Sequence, residues 1–203
     1  PGMAPHITDL PIWALDLGYP TEISATGGKY IIKDDSDAYD NHEVIWRYPN
    51  LTMTWMMSCT NSHGFAFQGT EKSGKGYETG TRRRLGIYFH GINGTLISDY
   101  SSHILIPESD RMNGMDTPPP SIPSSPGQEL EWVESIKSRK QPLCNPEYHI
   151  KVDLPIQLSI LSMKMGRSIA FDPEREKIVG DAEASRLAVP EYHSPWKFPS
   201  EYL

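Results

Sequence analysis

The 203-residue chain reads as an α+β fold, an open, mostly antiparallel β-sheet with helices packed on one face. Three observations predict it. Residues 42–48 and 51–57 alternate in polarity and are joined by Pro49-Asn50, as in an antiparallel hairpin. A second hairpin is written in 85–98, where L-G-I-Y-F-H and T-L-I-S flank the turn G-I-N-G. Apolar residues recur at helical spacing towards both ends of the chain.

The first 18 residues carry Leu10, Trp13, Ala14 and Leu17 at i, i+3, i+4, i+7, which predicts a helix over 9–17 with these four as its buried face. Thr8 or Asp9 caps it, Pro11 suits its first turn and Gly18 ends it. His6 and Asp9 then stand one turn apart at a helix N-terminus, where N–H groups and the dipole favour anions. The same spacing is met by Asp9 as a plain cap and His6 as a loop residue.

Residues 21–26 form a strand before Gly27-Gly28, and the sheet is expected to run from about residue 21 to 106. The Met and Trp stripe of 42–57 reads as a sheet face packed on helices or on another subunit. Residues 64–68 are expected to be a strand, and 71–81 a surface loop lacking the G-x-x-x-x-G-K-[ST] order. H-I-L-I-P (103–107) is a further strand. The proline- and serine-rich stretch within 107–127 is a surface excursion within one domain, 1–203. Ser125-Pro126-Gly127-Gln128 fits a capping box before a helix over 127–139, with Leu130, Val133 and Ile136 inward. Asp153 and Pro155 open a helix over 153–165, with Leu154, Leu158, Leu161 and Met165 on one face and Gly166 closing it. A short strand, a turn, a helix from about 181 and an extended end complete the chain.

Net charge is −7 and the pI about 5.5, which argues against general binding to nucleic acid or an anionic membrane. The one basic run, Arg82-Arg83-Arg84, reads as a solvated loop end. No apolar run approaches the ~18 residues of a membrane span, and the first residues lack a signal-peptide pattern. Cys59 and Cys144 have no C-x-x-C spacing, so neither zinc nor a redox pair is indicated, and a single disulfide stays open.

Several segments, in order, resemble one family. K-S-R-K-Q-P-L-C-N (137–145) and 166–196, from G-R-S-I-A-F-D-P to S-P-W, look like the C-terminal signature of the Gfo/Idh/MocA oxidoreductases with a bacterial-type C-terminal domain. G-G-K-Y-I-I-K-D-D (27–35), Y-P-N-L-T-M-T-W (48–55) and G-I-N-G-T-L (91–96) are similar to segments of the same branch. The resemblance implies the C-terminal substrate-binding and oligomerisation domain of an NAD(P)-dependent sugar or polyol oxidoreductase. NAD or NADP would be held by a Rossmann domain outside these residues, since no G-x-G-x-x-G occurs here, and this chain alone is expected to be inactive. The family's D-x-x-x-H-x-x-D motif aligns with G-M-A-P-H-I-T-D. That makes His6 the proton-transfer histidine and Asp9 a substrate-holding acid, with Gly2 in place of the first aspartate. In P-E-Y-H-I-K-V-D-L-P-I-Q (146–157) the branch's histidines fall on Ile150, one residue from His149, and on Gln157, which becomes a substrate-binding amide. Both sides of the hairpin offer apolar residues, Val44, Trp46 and Tyr48 alternating with Ile45, and Leu51, Met53, Trp55 and Met57 with Met56, and the resemblance implies a homodimer or tetramer through that open sheet face. These residues do not decide between the bacterial cytoplasm and the periplasm.

The chemistry is coherent. Hydride loss from a carbinol requires loss of the hydroxyl proton, and an imidazole is matched to that task at neutral pH. A second reading is a binding or assembly module that kept the fold without the chemistry, for which Gly2 speaks. A third is a metal site built from His6, Asp9 and His63, His90 or His149, which rests on one H-x-x-D pair.

Overall fold

The structure is a computed structural model that describes residues 2–60, 85–100 and 102–200. The chain divides into two compact units, one of residues 1–5, 12–62 and 151–203, the other of 6–11 and 63–150. The division passes through two helices, α1 (Ala4–Ala14) and α3 (Pro146–Met165). The proline- and serine-rich stretch lies inside the second unit.

The first unit is built on β1 (Glu22–Gly28), β2 (Asn41–Arg47), β3 (Thr52–Ser58), β7 (Ile169–Asp172) and β8 (Lys177–Ile178). They form one antiparallel sheet in the order β3-β2-β1-β7-β8. The hairpin register sets Val44 opposite Trp55 and Trp46 opposite Met53. Side-chain alternation turns Ile23, Val44, Trp46 and Ile169 to one face, where all four are buried. Residues 151–165 of α3 cover that face. The Trp46 indole N–H donates to the Pro155 carbonyl at 2.9 Å, and the Ala25 N–H donates to Ser162 Oγ at 3.0 Å. Ser162 Oγ donates in turn to the Arg167 carbonyl at 2.8 Å, so one buried hydroxyl joins helix, strand and the turn after the helix. Only glycine fits at 27, because a Cβ there would stand 2.2 Å from the Asn41 carbonyl oxygen.

The other sheet face is largely polar, with Thr26, Glu43, Arg47, Thr52 and Thr54 exposed and Arg47 paired to Glu22 at 3.3 Å. Of the apolar residues expected on both sides, Val44, Trp46 and Tyr48 are buried, while Ile45 and Met56 stand out. Residues 29–40 leave the sheet as a loop fixed by buried Asp40, whose carboxylate accepts the N–H groups of Tyr30, Ile31 and Ile32 at 2.9, 2.6 and 2.7 Å.

The second unit holds an antiparallel three-stranded sheet of β4 (Ile87–His90), β5 (Gly94–Ser98) and β6 (His103–Pro107), with α2 (Gln128–Ser138) and the first turn of α3. The expected single sheet over 21–106 is thus two sheets among the described residues. The first is extended by β7, whose Ile169 and Phe171 bring a buried alternation to the edge of β1. The strand expected at 64–68, the loop at 71–81 and the arginine run lie outside the described residues.

The helix boundaries also differ. α2 starts at Gln128 behind Gly127, so the capping box at Ser125 does not form; Ser125 Oγ accepts the Gly127 N–H instead. Leu130, Val133 and Ile136 are exposed, and α2 buries nothing. α3 starts seven residues earlier than expected because Asn145 supplies a cap the sequence reading overlooked. Pro155 is buried in its interior, Gly166 closes it at φ 65°, and Asp181 caps α4 (Ala182–Leu187).

Candidate functional site

The site is written first into α1. Its buried residues are Ala4, Ile7, Thr8, Pro11 and Ile12, an i, i+3, i+4, i+7, i+8 stripe. The expected face of Leu10, Trp13, Ala14 and Leu17 is not the buried one, and Trp13 is 53% exposed. Both stripes are apolar and overlap in sequence; an N-terminus at Ala4 rather than near Asp9 selects the earlier one. His6 therefore lies in the first turn and Asp9 in the second, so neither Asp9 nor Thr8 caps, and Pro11 sits inside the helix. Because the helix is anchored by the opposite stripe, both His6 and Asp9 are exposed.

The start of α3 brings the next residue. Asn145 Oδ1 accepts the Tyr148 N–H at 2.9 Å and Asn145 Nδ2 donates to the Pro142 carbonyl at 3.0 Å, which fixes both the cap and the preceding turn. Tyr148, half-buried at the third helical position, donates its hydroxyl to Asp9 Oδ1 at 2.5 Å. Burial, then the hydrogen bond to Asp9, push the Tyr148 phenol well above its usual range, so it is held as a donor. The His6 ring meets the Tyr100 ring edge-on, centroids 6.3 Å apart. His6, Asp9, Tyr100 and Tyr148 all belong to the second unit.

Of the residues the sequence singled out, Asp9 is joined to Tyr148 and His6 to Tyr100. Gln157 is exposed on α3 within the first unit. His149 and Ile150 are exposed too. Tyr148 was not singled out by the sequence: N-P-E-Y signals a helix start capped by Asn145, while the partner of the ring is 139 residues away. Among the described residues no three His, Cys, Asp or Glu side chains gather as metal ligands; His63 lies outside them. No described helix is long and apolar enough to cross a membrane. Nothing in the chain has the glycine-rich order of a dinucleotide cradle.

Residues 76–198 match the family described as "Oxidoreductase family, C-terminal alpha/beta domain", of the Gfo/Idh/MocA group. The match takes in Tyr148 and Gln157 and begins after His6 and Asp9. Among solved structures, the chain is similar to yvaA of Bacillus subtilis, a candidate oxidoreductase, at 18% identity with a TM-score of 0.50, covering 84% of this chain and 51% of that one. A candidate oxidoreductase of Klebsiella pneumoniae is similar at 12% identity with a TM-score of 0.52, covering 92% and 52%. At these identities the likeness is one of fold, and the chain spans about half the length of the structures it matches. None of the curated proteins compared with it matches. An antiparallel sheet backed by helices, together with the family match over most of its length, shows that the chain belongs to the Gfo/Idh/MocA oxidoreductase family and carries its C-terminal alpha/beta domain.

Proposed function

We propose that this domain binds the substrate of an NAD(P)-dependent sugar or polyol oxidoreductase, with His6 as proton acceptor and Asp9 as a substrate-holding group. One observation carries the reading. An H-x-x-D pair is exposed on one helix, and its acid is already held by a hydroxyl from a second helix. In this reading a preceding cofactor domain holds NAD or NADP, which supplies the hydride acceptor. His6 takes the hydroxyl proton as the carbinol C–H bond breaks and the carbonyl forms, and being exposed it passes that proton to water. Asp9 accepts from a neighbouring substrate hydroxyl.

The test is the full-length protein assayed by absorbance of reduced cofactor, with NAD or NADP and a polyol panel. His6→Asn should lower kcat by about 10²- to 10⁴-fold. A second reading, a module that kept the fold without the chemistry, is favoured by Gly2 at the place of the motif's first acid. Under it His6→Asn changes nothing.

The same proposal includes self-association through the outer face of the first sheet, where Ile45 and Met56 are the large apolar side chains in view. Light scattering on the chain should give about twice 22.9 kDa, and Ile45→Lys with Met56→Lys should return it to one copy. A mass of one copy at every concentration refutes this part.

A further inference from the structure

We infer that Tyr148 is a positioning residue that orients Asp9 towards the substrate; this rests on the function proposed above. An exposed aspartate in a helix samples several χ1 rotamers, and one directed hydrogen bond is enough to select among them. The Tyr148 hydroxyl donates to Asp9 Oδ1 at 2.5 Å, which leaves Oδ2 to accept from a substrate hydroxyl. Tyr148 is itself placed by the chain around it. Asn145 caps its N–H, and the loop before it is tied down where Glu131 Oε1 accepts the Leu143 N–H at 2.6 Å. Gln141 Nε2 donates to Glu147 Oε2, also at 2.6 Å, beside it. Asp9 and Tyr148 stand 139 residues apart in sequence, so the pairing is a product of the fold and not of local helix chemistry.

A purely structural role for Tyr148 would reside in its ring, which phenylalanine keeps. The experiment uses the full-length oxidoreductase with Tyr148→Phe, assayed on whichever of myo-inositol, glucose, xylose and glycerol the wild type oxidises fastest. Losing the orientation of a substrate-holding acid should raise KM about fivefold to tenfold while kcat stays within about twofold. Adding Tyr148→Phe to Asp9→Ala should have no further effect, because alanine leaves Tyr148 no side chain at position 9 to orient. An unchanged KM in Tyr148→Phe, with Asp9→Ala impaired, overturns the inference and leaves the proposed function standing. A wild-type enzyme idle on the whole panel, or an Asp9→Ala variant as active as wild type, overturns the functional reading and the inference with it.

Discussion

The two units differ in how many large apolar side chains they bury among the described residues. In the first, a five-stranded sheet and residues 151–165 of α3 bury Ile23, Val44, Trp46, Tyr48, Val152, Ile156, Ile169 and Phe171. In the second, β4–β6 bury Ile97, while Tyr88, Leu105, Ile106, Trp132, Leu143 and Ile150 are exposed among the described residues. The first unit is held by its own core. The second has polar ties among its described residues, such as Asn145 at the head of α3 and Tyr148 on Asp9, beside buried Ile7 and Ile97. All the candidate site residues except Gln157 lie in the second unit, the part that buries fewer large apolar side chains among the described residues.

The largest expected effect tests the first half of that contrast. Trp46 is 1% exposed and its indole N–H is satisfied by Pro155. Trp46→Ala should cost about 3–5 kcal/mol, since it leaves a cavity and an orphaned carbonyl under α3. Urea unfolding measures it directly, and a cost below 1 kcal/mol would mean that the sheet–helix interface is not the unit's core.

Much of this was legible in the sequence. The hairpin of β2 and β3 was readable because alternation over seven residues on each side of Pro49-Asn50 has one antiparallel solution. The strands of 87–107, the stop at Gly166 and the start of a helix near 181 were readable from local signals. What was not legible depended on pairs distant in sequence. Ile169 beside Ile23 and Tyr148 beside Asp9 leave no periodic trace. The buried stripe of α1 was misread because two apolar stripes share one segment, and only packing chooses between them. For α2 the periodicity was right but the implied burial was not: amphipathic spacing reports a face able to be buried, not one that is. His6 and Asp9 are candidates only through a family motif, since spacing alone allows a cap as well.

A smaller effect, and a pH-dependent one, is expected at Asp40. Burial pushes its carboxyl up, but three backbone N–H donors and the Asn41 amide outweigh burial and hold it well below the usual carboxylate range. A folded-state value below the unfolded one stabilises the protein above the unfolded value, and that contribution is lost as pH falls through the folded one. The wild type should therefore be more stable than Asp40→Asn at pH 7, with the gap narrowing below about pH 4, where unfolded aspartate takes up its proton. The asparagine oxygen still accepts, which keeps the loss smaller than at Trp46. Thermal unfolding of both proteins between pH 7 and 2 checks the sign; a gap that widens on acidification contradicts the geometry around Asp40.

The smallest effect sharpens the contrast most, because it uses the same residue type in the other unit. Trp132 on α2 is 64% exposed, and its helix buries no side chain. The ring gives up little contact with water on folding, so the hydrophobic contribution that makes Trp46 costly is nearly absent. The helix itself gains from the change, alanine being the better helix former by a few tenths of a kcal/mol. Trp132→Ala should then leave stability within about 0.5 kcal/mol of wild type, against several for Trp46→Ala. Urea unfolding of the two variants at one protein concentration gives the comparison, and repeating it tenfold more dilute tests its origin. A loss at Trp132 above about 1 kcal/mol that shrinks on dilution would show the α2 face covered by a second copy, since mass action makes such stability depend on concentration. A loss of that size independent of concentration would mean that the second unit has a core of its own beneath α2, and the opposition between the units would fall.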